Sequence, residues 1–170
     1  MLSKNALLRH SRLLVGMALV SGFVLAGALF GQFVLGWHPC DLCLLQRYPY
    51  MAIIILAAIG LLVRGKPKAQ ATLVMLGIVC FLVTAGIGAY HTGVEMKWVK
   101  GPSACSATDT SDMTLEEMRE ALKNAPLVSC DQAMAYVLGL SLAAWNFIIA
   151  LGMAIFSAYM FFYIRKRKLS

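Results

Sequence analysis

Four long apolar runs alternate with polar segments along the chain, at about residues 13–36, 48–63, 71–90 and 138–164. The first run has some 24 residues, and a helix of that length crosses a hydrocarbon core of about 30 Å. Pro49 suits the first turn of the second helix, where a missing N–H costs nothing. The pattern predicts an all-α membrane protein, a four-helix transmembrane bundle that forms a single domain over residues 1–170.

The first run has a second interpretation as a cleaved signal peptide. It follows a basic start, and Ala26-Gly27-Ala28 is typical of a cleavage site. The apolar run continues through Phe33 and Leu35, however, which makes it too long for the apolar region of a signal. A retained helix is therefore favoured.

The long polar segment at 91–137 contains one predicted helix. Thr114-Leu115-Glu116-Glu117 has the form of a capping box, and the apolar residues that follow recur at helical spacing until Pro126. The sequence therefore predicts a short amphipathic helix in this loop. It could lie along the membrane surface or pack on the ends of the bundle, and the residues favour neither.

Composition and charge support the membrane interpretation and give it an orientation. Hydrophobic residues make up 60% of the chain and charged residues only 14%, too few to cover a soluble surface. Ten of the fifteen Lys and Arg residues lie in the N-terminal segment, the segment at 64–70 and the C-terminal segment, whereas all eight acids lie at 37–47 and 91–137. Because cytoplasmic loops carry the cations, both termini are predicted to be cytoplasmic and both acidic loops periplasmic. The net charge of +7 is then a topology signal, not a nucleic-acid site.

Four of the five cysteines fall on the predicted periplasmic side, where thiols are normally paired: Cys40, Cys43, Cys105 and Cys130. Three connectivities are possible, of which Cys40–Cys43 with Cys105–Cys130 is the simplest. Structural disulfides, a metal site and redox-active disulfides all remain candidates. A metal site has few ligands to draw on, since only His38 and His91 could supplement the thiols. Cys80, inside the third run, is expected to be a small core residue.

The Cys40-x-x-Cys43 spacing favours redox chemistry over a structural role. A ring this small removes little entropy from the unfolded chain, and a helix N-terminus after Cys40 would stabilise a thiolate. Arg47 lies one helical turn beyond Cys43, where it could lower a thiol pKa or hold an anionic acceptor. A membrane-edge arginine that extends towards the interface is an equally good interpretation of Arg47.

Two further regions are candidates for the site. His91 is a titratable group at the end of the third run, where it could donate protons to an acceptor or be an ordinary interfacial histidine. Cys105 and Cys130 have small neighbours and lie in a polar segment that a partner protein could approach. Elsewhere, five glycines predict close helix contacts: Gly22, Gly27, Gly31, Gly86 and Gly88.

The chain resembles the disulfide bond formation protein B (DsbB) family of bacterial inner-membrane quinone reductases. The resemblance covers essentially the whole chain and is carried by Pro39-Cys40-x-x-Cys43 with Arg47, by His91, by Gly101-Pro102 with Cys105 and Cys130, and by Gly139-Leu140 with Trp145. It implies a four-helix bundle that oxidises a soluble periplasmic thioredoxin-like (DsbA-like) dithiol protein. The electrons would pass to a membrane quinone, either ubiquinone or menaquinone.

The resemblance also implies roles for individual residues. Cys105–Cys130 would accept electrons from the partner by thiol–disulfide exchange, and Cys40–Cys43 would take them next. Arg47 and His91 would bind the quinone. Two rivals remain open, a non-enzymatic tetraspan protein with two structural disulfides and an enzyme resembling vitamin K epoxide reductase.

Overall fold

The computed structural model describes residues 4–102, 114, 116 and 129–169. Within them the helices are α1 (Lys4–Phe33), α2 (Asp41–Leu45), α3 (Arg47–Leu62), α4 (Pro67–Glu95) and α5 (Leu142–Leu169), and strands β1 (Tyr136–Val137) and β2 (Leu140–Ser141) form a hairpin before α5. Four segments are long and apolar enough to span a membrane: Arg9–Phe33, Asp41–Leu62, Pro67–Glu95 and Leu142–Lys166. The predicted four-helix membrane bundle is confirmed.

Helix α4 packs against α1, α3 and α5, and its contact with α5 is the most extensive between any two helices described. The core includes Met17 of α1, Ile53 of α3, Phe81 of α4 and Ala150 of α5. The His10 and Phe161 rings lie 5.9 Å apart, so the N-terminal end of α1 meets the C-terminal end of α5. Both ends of the chain therefore lie at the same end of the bundle.

The end of the bundle that contains the Cys40-x-x-Cys43 pair differs from the prediction in two places. Helix α4 continues to Glu95, so His91 lies on a helix and not at the start of a loop. The fourth helix begins at Leu142 and not at about 138, because Leu138 and Gly139 both adopt positive φ angles, 52° and 81°, and form the turn of the hairpin. Ser141 then caps α5, since its Oγ accepts a hydrogen bond from the Ala144 N–H at 3.1 Å.

The predicted close helix contacts are correct at Gly88 and wrong at three other glycines. A Cβ on Gly88 would lie 3.1 Å from the backbone nitrogen of Phe147, so α4 and α5 approach closely there. A Cβ on Gly22, Gly27 or Gly86 would meet nothing within 4 Å. Gly31 is close to the ring of Trp37 instead of to another helix.

Two predictions lie outside the described residues. The first is the amphipathic helix predicted from Thr114 to about Pro126, of which only Thr114 and Glu116 are described. The second is Cys105, which is not among the described residues.

Candidate active site

The Cys40-x-x-Cys43 pair lies at the start of α2, at the end of the bundle away from the two chain termini. Cys40 is the N-cap residue, and its Sγ accepts the Cys43 backbone N–H at 3.4 Å. The Cys40 thiol also donates to Cys43 Sγ at 3.0 Å, so both residues are present as thiols. Since a disulfide bond is about 2.05 Å long, a movement of about 1 Å would close the predicted pair.

The two thiols have different surroundings, and the difference appears in the pKa of Cys40. Donation of the Cys40 S–H to Cys43 and burial of the side chain together raise the pKa of Cys40 to about 12, whereas contact with His91 acts in the opposite direction. Cys40 therefore retains its proton at neutral pH, and the sulfur of Cys43 is the hydrogen-bond acceptor within the pair.

His91 lies directly behind Cys40. Its Nε2 atom is 3.6 Å from Cys40 Sγ and 3.7 Å from Glu95 Oε1, one helical turn further along α4. Its Nδ1 atom is 3.2 Å from Gln46 Nε2. The imidazole is almost completely buried, so these contacts fix its position.

Cys130 is placed beside the same pair. It is fully buried, at 0% exposure, and packs in one cluster with Cys40, Leu42 and Val94, with Cys43 against it. The expectation that Cys130 lies in an open segment accessible to a protein partner is therefore wrong. Cys130 follows the polar loop in sequence, but it is packed into the end of the bundle in one cluster with Cys40 and Cys43.

A small void lies beside these groups. It measures about 20 Å³, enough for one water molecule, and is bordered by Cys40, Cys43, His91, Glu95, Ser129, Gln132, Met134, Leu142 and Ala143. Both thiols, the imidazole and a carboxylate thus border one void.

A much larger cavity lies on the other side of Cys43. Its volume is about 510 Å³, and α1, α3 and the start of α5 form most of its wall. Most lining residues are apolar or aromatic: Phe23, Val24, Leu25, Gly27, Ala28, Trp37, Tyr50, Met134, Val137, Leu142, Ala143, Trp145 and Ile149. Phe23 is 82% exposed on the outer face of α1, so the cavity reaches the surface that lipid would cover.

The few polar groups of the cavity include Cys43, Gln46 and Arg47. Arg47 Nη1 donates to Gln32 Oε1 at 2.6 Å, which ties the guanidinium to α1 at the cavity wall. Arg47 and Cys43 both border this cavity. Among the described residues, His91 borders the small void and not this cavity.

A chain of buried hydrogen bonds links the helices at the cavity wall. Thr84 Oγ1 donates to the Gln46 carbonyl at 3.1 Å, Asn146 Nδ2 lies 3.4 Å from Thr84 Oγ1, and Tyr50 donates to Asn146 Oδ1 at 2.6 Å. These residues and Gln32 were not predicted from the sequence. One sequence signal could have identified them. A polar side chain within an apolar run costs free energy in a membrane, so its presence there indicates a function.

Together, the fold and the site define a multi-pass membrane protein with a Cys-x-x-Cys pair between a small void and an apolar cavity. The family model for "Disulfide bond formation protein DsbB" matches residues 10–160. The chain therefore belongs to the DsbB family, as the resemblance predicted, and the family suggests a disulfide oxidoreductase.

Individual relatives agree with this assignment. The chain is 30% identical over 142 residues to disulfide bond formation protein B 1 of Pseudomonas fluorescens (strain Pf0-1), covering 81% of this chain and 80% of that protein. It is 38% identical over 93 residues to disulfide bond formation protein B of Burkholderia pseudomallei (strain K96243), covering 54% and 53%. It is 25% identical over 153 residues to the uncharacterized protein RP370 of Rickettsia prowazekii (strain Madrid E), covering 88% and 86%. No solved structure matches the chain significantly.

Proposed function

We propose that the protein is a thiol:quinone oxidoreductase of the bacterial inner membrane. It takes two electrons from the dithiol of a periplasmic thioredoxin-like protein and passes them to ubiquinone or menaquinone, which supports disulfide formation in exported proteins. The observation that carries the proposal is the position of the dithiol: Cys43 borders an apolar cavity of about 510 Å³, and both thiols pack in one cluster with Cys130.

The cavity has the properties that a quinone requires. Its wall is mainly aliphatic and aromatic, as a planar ring with an apolar tail needs, and its polar groups are few. Arg47 can donate to a ring oxygen from the position that its bond to Gln32 fixes. When bound, the quinone supplies an acceptor for two electrons and two protons.

Electrons enter through the second cysteine pair. In the first exchange, the partner's dithiol reduces the Cys105–Cys130 disulfide and becomes a disulfide itself. In the second, a Cys130 thiolate attacks the Cys40–Cys43 disulfide; Cys105 then closes on Cys130 and releases Cys40 and Cys43 as thiols. Packing of Cys130 in one cluster with Cys40 and Cys43 supports this order of transfer.

Reoxidation of the Cys40–Cys43 pair releases two electrons and two protons. Cys43 borders the cavity and would be the thiol that faces a bound acceptor, whereas Cys40 would close the disulfide and must lose its proton to do so. Because the pKa of Cys40 is raised to about 12, this step needs a base, and His91 Nε2 lies 3.6 Å from the sulfur. His91 thus acts as a proton acceptor behind the thiols, with Glu95 beside it to stabilise the imidazolium.

The experiment is anaerobic mixing of the purified protein with quinone and a reduced thioredoxin-like substrate, followed by quinone absorbance. Cys130→Ser should accumulate a mixed disulfide between Cys105 and the partner, because the resolving thiol is absent. Cys43→Ser should oxidise one equivalent of substrate and then stop. Cys80→Ser is the matched control and should turn over normally. Wild-type turnover in both active-site variants would contradict the relay and leave the disulfides as structural links.

The proposed orientation places both cysteine pairs in the periplasm and both termini in the cytoplasm. The asymmetry of Lys and Arg between the two ends supports it. A reporter fused after Lys168 should be active in the cytoplasm, and one inserted near Thr110 should be active in the periplasm. The reverse pattern would contradict the proposal, because the thiols would then face a reducing compartment.

A further inference from the structure

We propose that the reduced Cys40–Cys43 pair, together with His91 and Glu95, forms a binding site for a thiophilic divalent cation of the zinc class. The sulfur atoms of both cysteines and a ring nitrogen of His91 lie within 4.8 Å of one another. All four side chains border the same enclosed space of about 20 Å³. Two thiols, an imidazole and a carboxylate are ligands that zinc accepts.

The distances from His91 to Cys40 and to Glu95 match those of a tetrahedral site, and the two sulfurs are closer together than such a site requires. With metal–sulfur bonds of about 2.3 Å and metal–nitrogen and metal–oxygen bonds of about 2.0–2.2 Å, neighbouring ligand atoms lie about 3.3–3.8 Å apart. His91 Nε2 is 3.6 Å from Cys40 Sγ and 3.7 Å from Glu95 Oε1, within that range. The sulfurs, at 3.0 Å, need to separate by about 0.8 Å to reach it.

The surroundings of His91 suit a metal ligand. Coordination through Nε2 requires that Nδ1 carry the proton and donate it to an acceptor. The Gln46 side-chain amide lies at that atom, at 3.2 Å, and can present its oxygen by rotating through 180°. Gln46 is itself buried, and its backbone carbonyl accepts a hydrogen bond from Thr84 Oγ1. The imidazole that Gln46 contacts therefore has little freedom to leave the site.

The chemistry of binding is a proton exchange without electron transfer. The cation replaces the two thiol protons, which leave for solvent, and forms two metal–sulfur bonds. Its two positive charges offset the repulsion between adjacent thiolates. The oxidised pair offers no thiolate, so the site exists only in the reduced protein. The consequence for turnover rests on the proposed function: a bound cation would hold the pair reduced and block electron transfer to the acceptor.

The test uses the full-length protein in detergent, reduced with a phosphine and titrated with Cd²⁺ alone. We expect one equivalent to bind, with a thiolate-to-cadmium charge-transfer band in the ultraviolet and release of two protons. Protein with an intact Cys40–Cys43 disulfide should show neither. Because no quinone or partner is present, this result is independent of the proposed enzyme activity. A reduced protein that binds no Cd²⁺ would overturn the proposal.

Variants assign the ligands. His91→Ala should weaken binding by at least about 10- to 100-fold, Glu95→Gln by a smaller factor, and His91→Cys should restore tight binding because it supplies another soft ligand. His38→Ala is the matched control and should bind as wild type, since His38 is exposed and outside the cluster. Equal affinity in wild type, His91→Ala and Glu95→Gln would overturn the proposal, because the dithiol alone would then be the site. Loss of the band in Cys130→Ser but not in His91→Ala would overturn it as well.

Discussion

The two sulfurs of the Cys40–Cys43 pair have different surroundings. Both border a small void of about 20 Å³ with an imidazole and a carboxylate, but only Cys43 also borders the apolar cavity of about 510 Å³ with one guanidinium. The motif itself has two identical thiols. Their different roles therefore arise from what lies beside each sulfur: His91 of α4 contacts Cys40, and the cavity formed mainly by α1, α3 and the start of α5 borders Cys43.

The asymmetry begins with the local geometry of α2. As N-cap residue, Cys40 lies outside the first helical turn and donates its thiol proton to Cys43. That bond is the largest cause of the raised pKa of Cys40. The proton is thus held on Cys40 Sγ, which contacts His91. The sulfur that accepts the hydrogen bond, Cys43 Sγ, belongs to the residue that borders the cavity.

The substitution with the largest expected effect removes the difference between the two sulfurs. Cys43→Ala removes the acceptor of the Cys40 S–H, so the pKa of Cys40 should fall from about 12 towards its ordinary value of 9.0. The thiolate fraction at about pH 8 should then rise by at least about tenfold, since each pKa unit is a factor of ten. Alkylation of the Cys40 peptide by iodoacetamide across pH, followed by mass spectrometry, measures the midpoint. Cys80→Ala should leave it unchanged, and an unchanged midpoint in Cys43→Ala would contradict the assignment.

The same shift predicts a pH dependence of stability. A thiol pKa that is higher in the folded state means that folding favours the protonated form. The stabilisation is present below about pH 9 and is lost as the pH rises from 9.0 to about 12. In reduced protein, the free energy of unfolding should therefore fall more steeply over this range in wild type than in Cys40→Ser.

A smaller effect is expected at the polar end of the cavity. Arg47→Ala should raise the KM for quinone by about 5- to 150-fold, which corresponds to loss of a charge-assisted hydrogen bond of about 1–3 kcal/mol. Both disulfides should still form. Arg64→Ala, at the other end of α3, is the control. An unchanged KM in Arg47→Ala would mean that Arg47 only extends to the membrane interface.

The smallest effect concerns the shape of the cavity. Gly27 borders the cavity, and a Cβ there meets nothing within 4 Å, so Gly27→Leu should fold and occupy part of the space. We expect the KM for quinone to rise by about tenfold, equivalent to about 1.4 kcal/mol. Gly22→Leu, on the same helix and equally unobstructed, should change it little. Equal effects of the two substitutions would show that the cavity does not hold the quinone.

The sequence specified the features that depend on neighbouring residues. A stretch of apolar residues long enough for the hydrocarbon core must form a helix there, because lipid offers no partner for unpaired backbone groups. The spacing of Cys40, Cys43 and Arg47 was likewise sufficient to place them together at a helix start. The hairpin before α5 was missed because its residues are as apolar as the helix that follows, although Gly139 and the capping residue Ser141 mark the boundary.

Only the tertiary structure determined which residues meet the thiols. Cys40 contacts His91 51 positions away, and Tyr50 bonds to Asn146 across 96 positions, so no local pattern could indicate either contact. In a membrane bundle, the pattern of apolar residues also does not predict which side chains are buried. Phe23 is 82% exposed and Phe81 is 0% exposed, yet both lie in uniformly apolar runs. The physical reason is that lipid tails are as apolar as the core, so hydrophobicity selects the membrane but not the buried face of each helix. Close packing and buried hydrogen bonds select that face, and in doing so they determine that Cys40 meets a base and Cys43 meets a cavity.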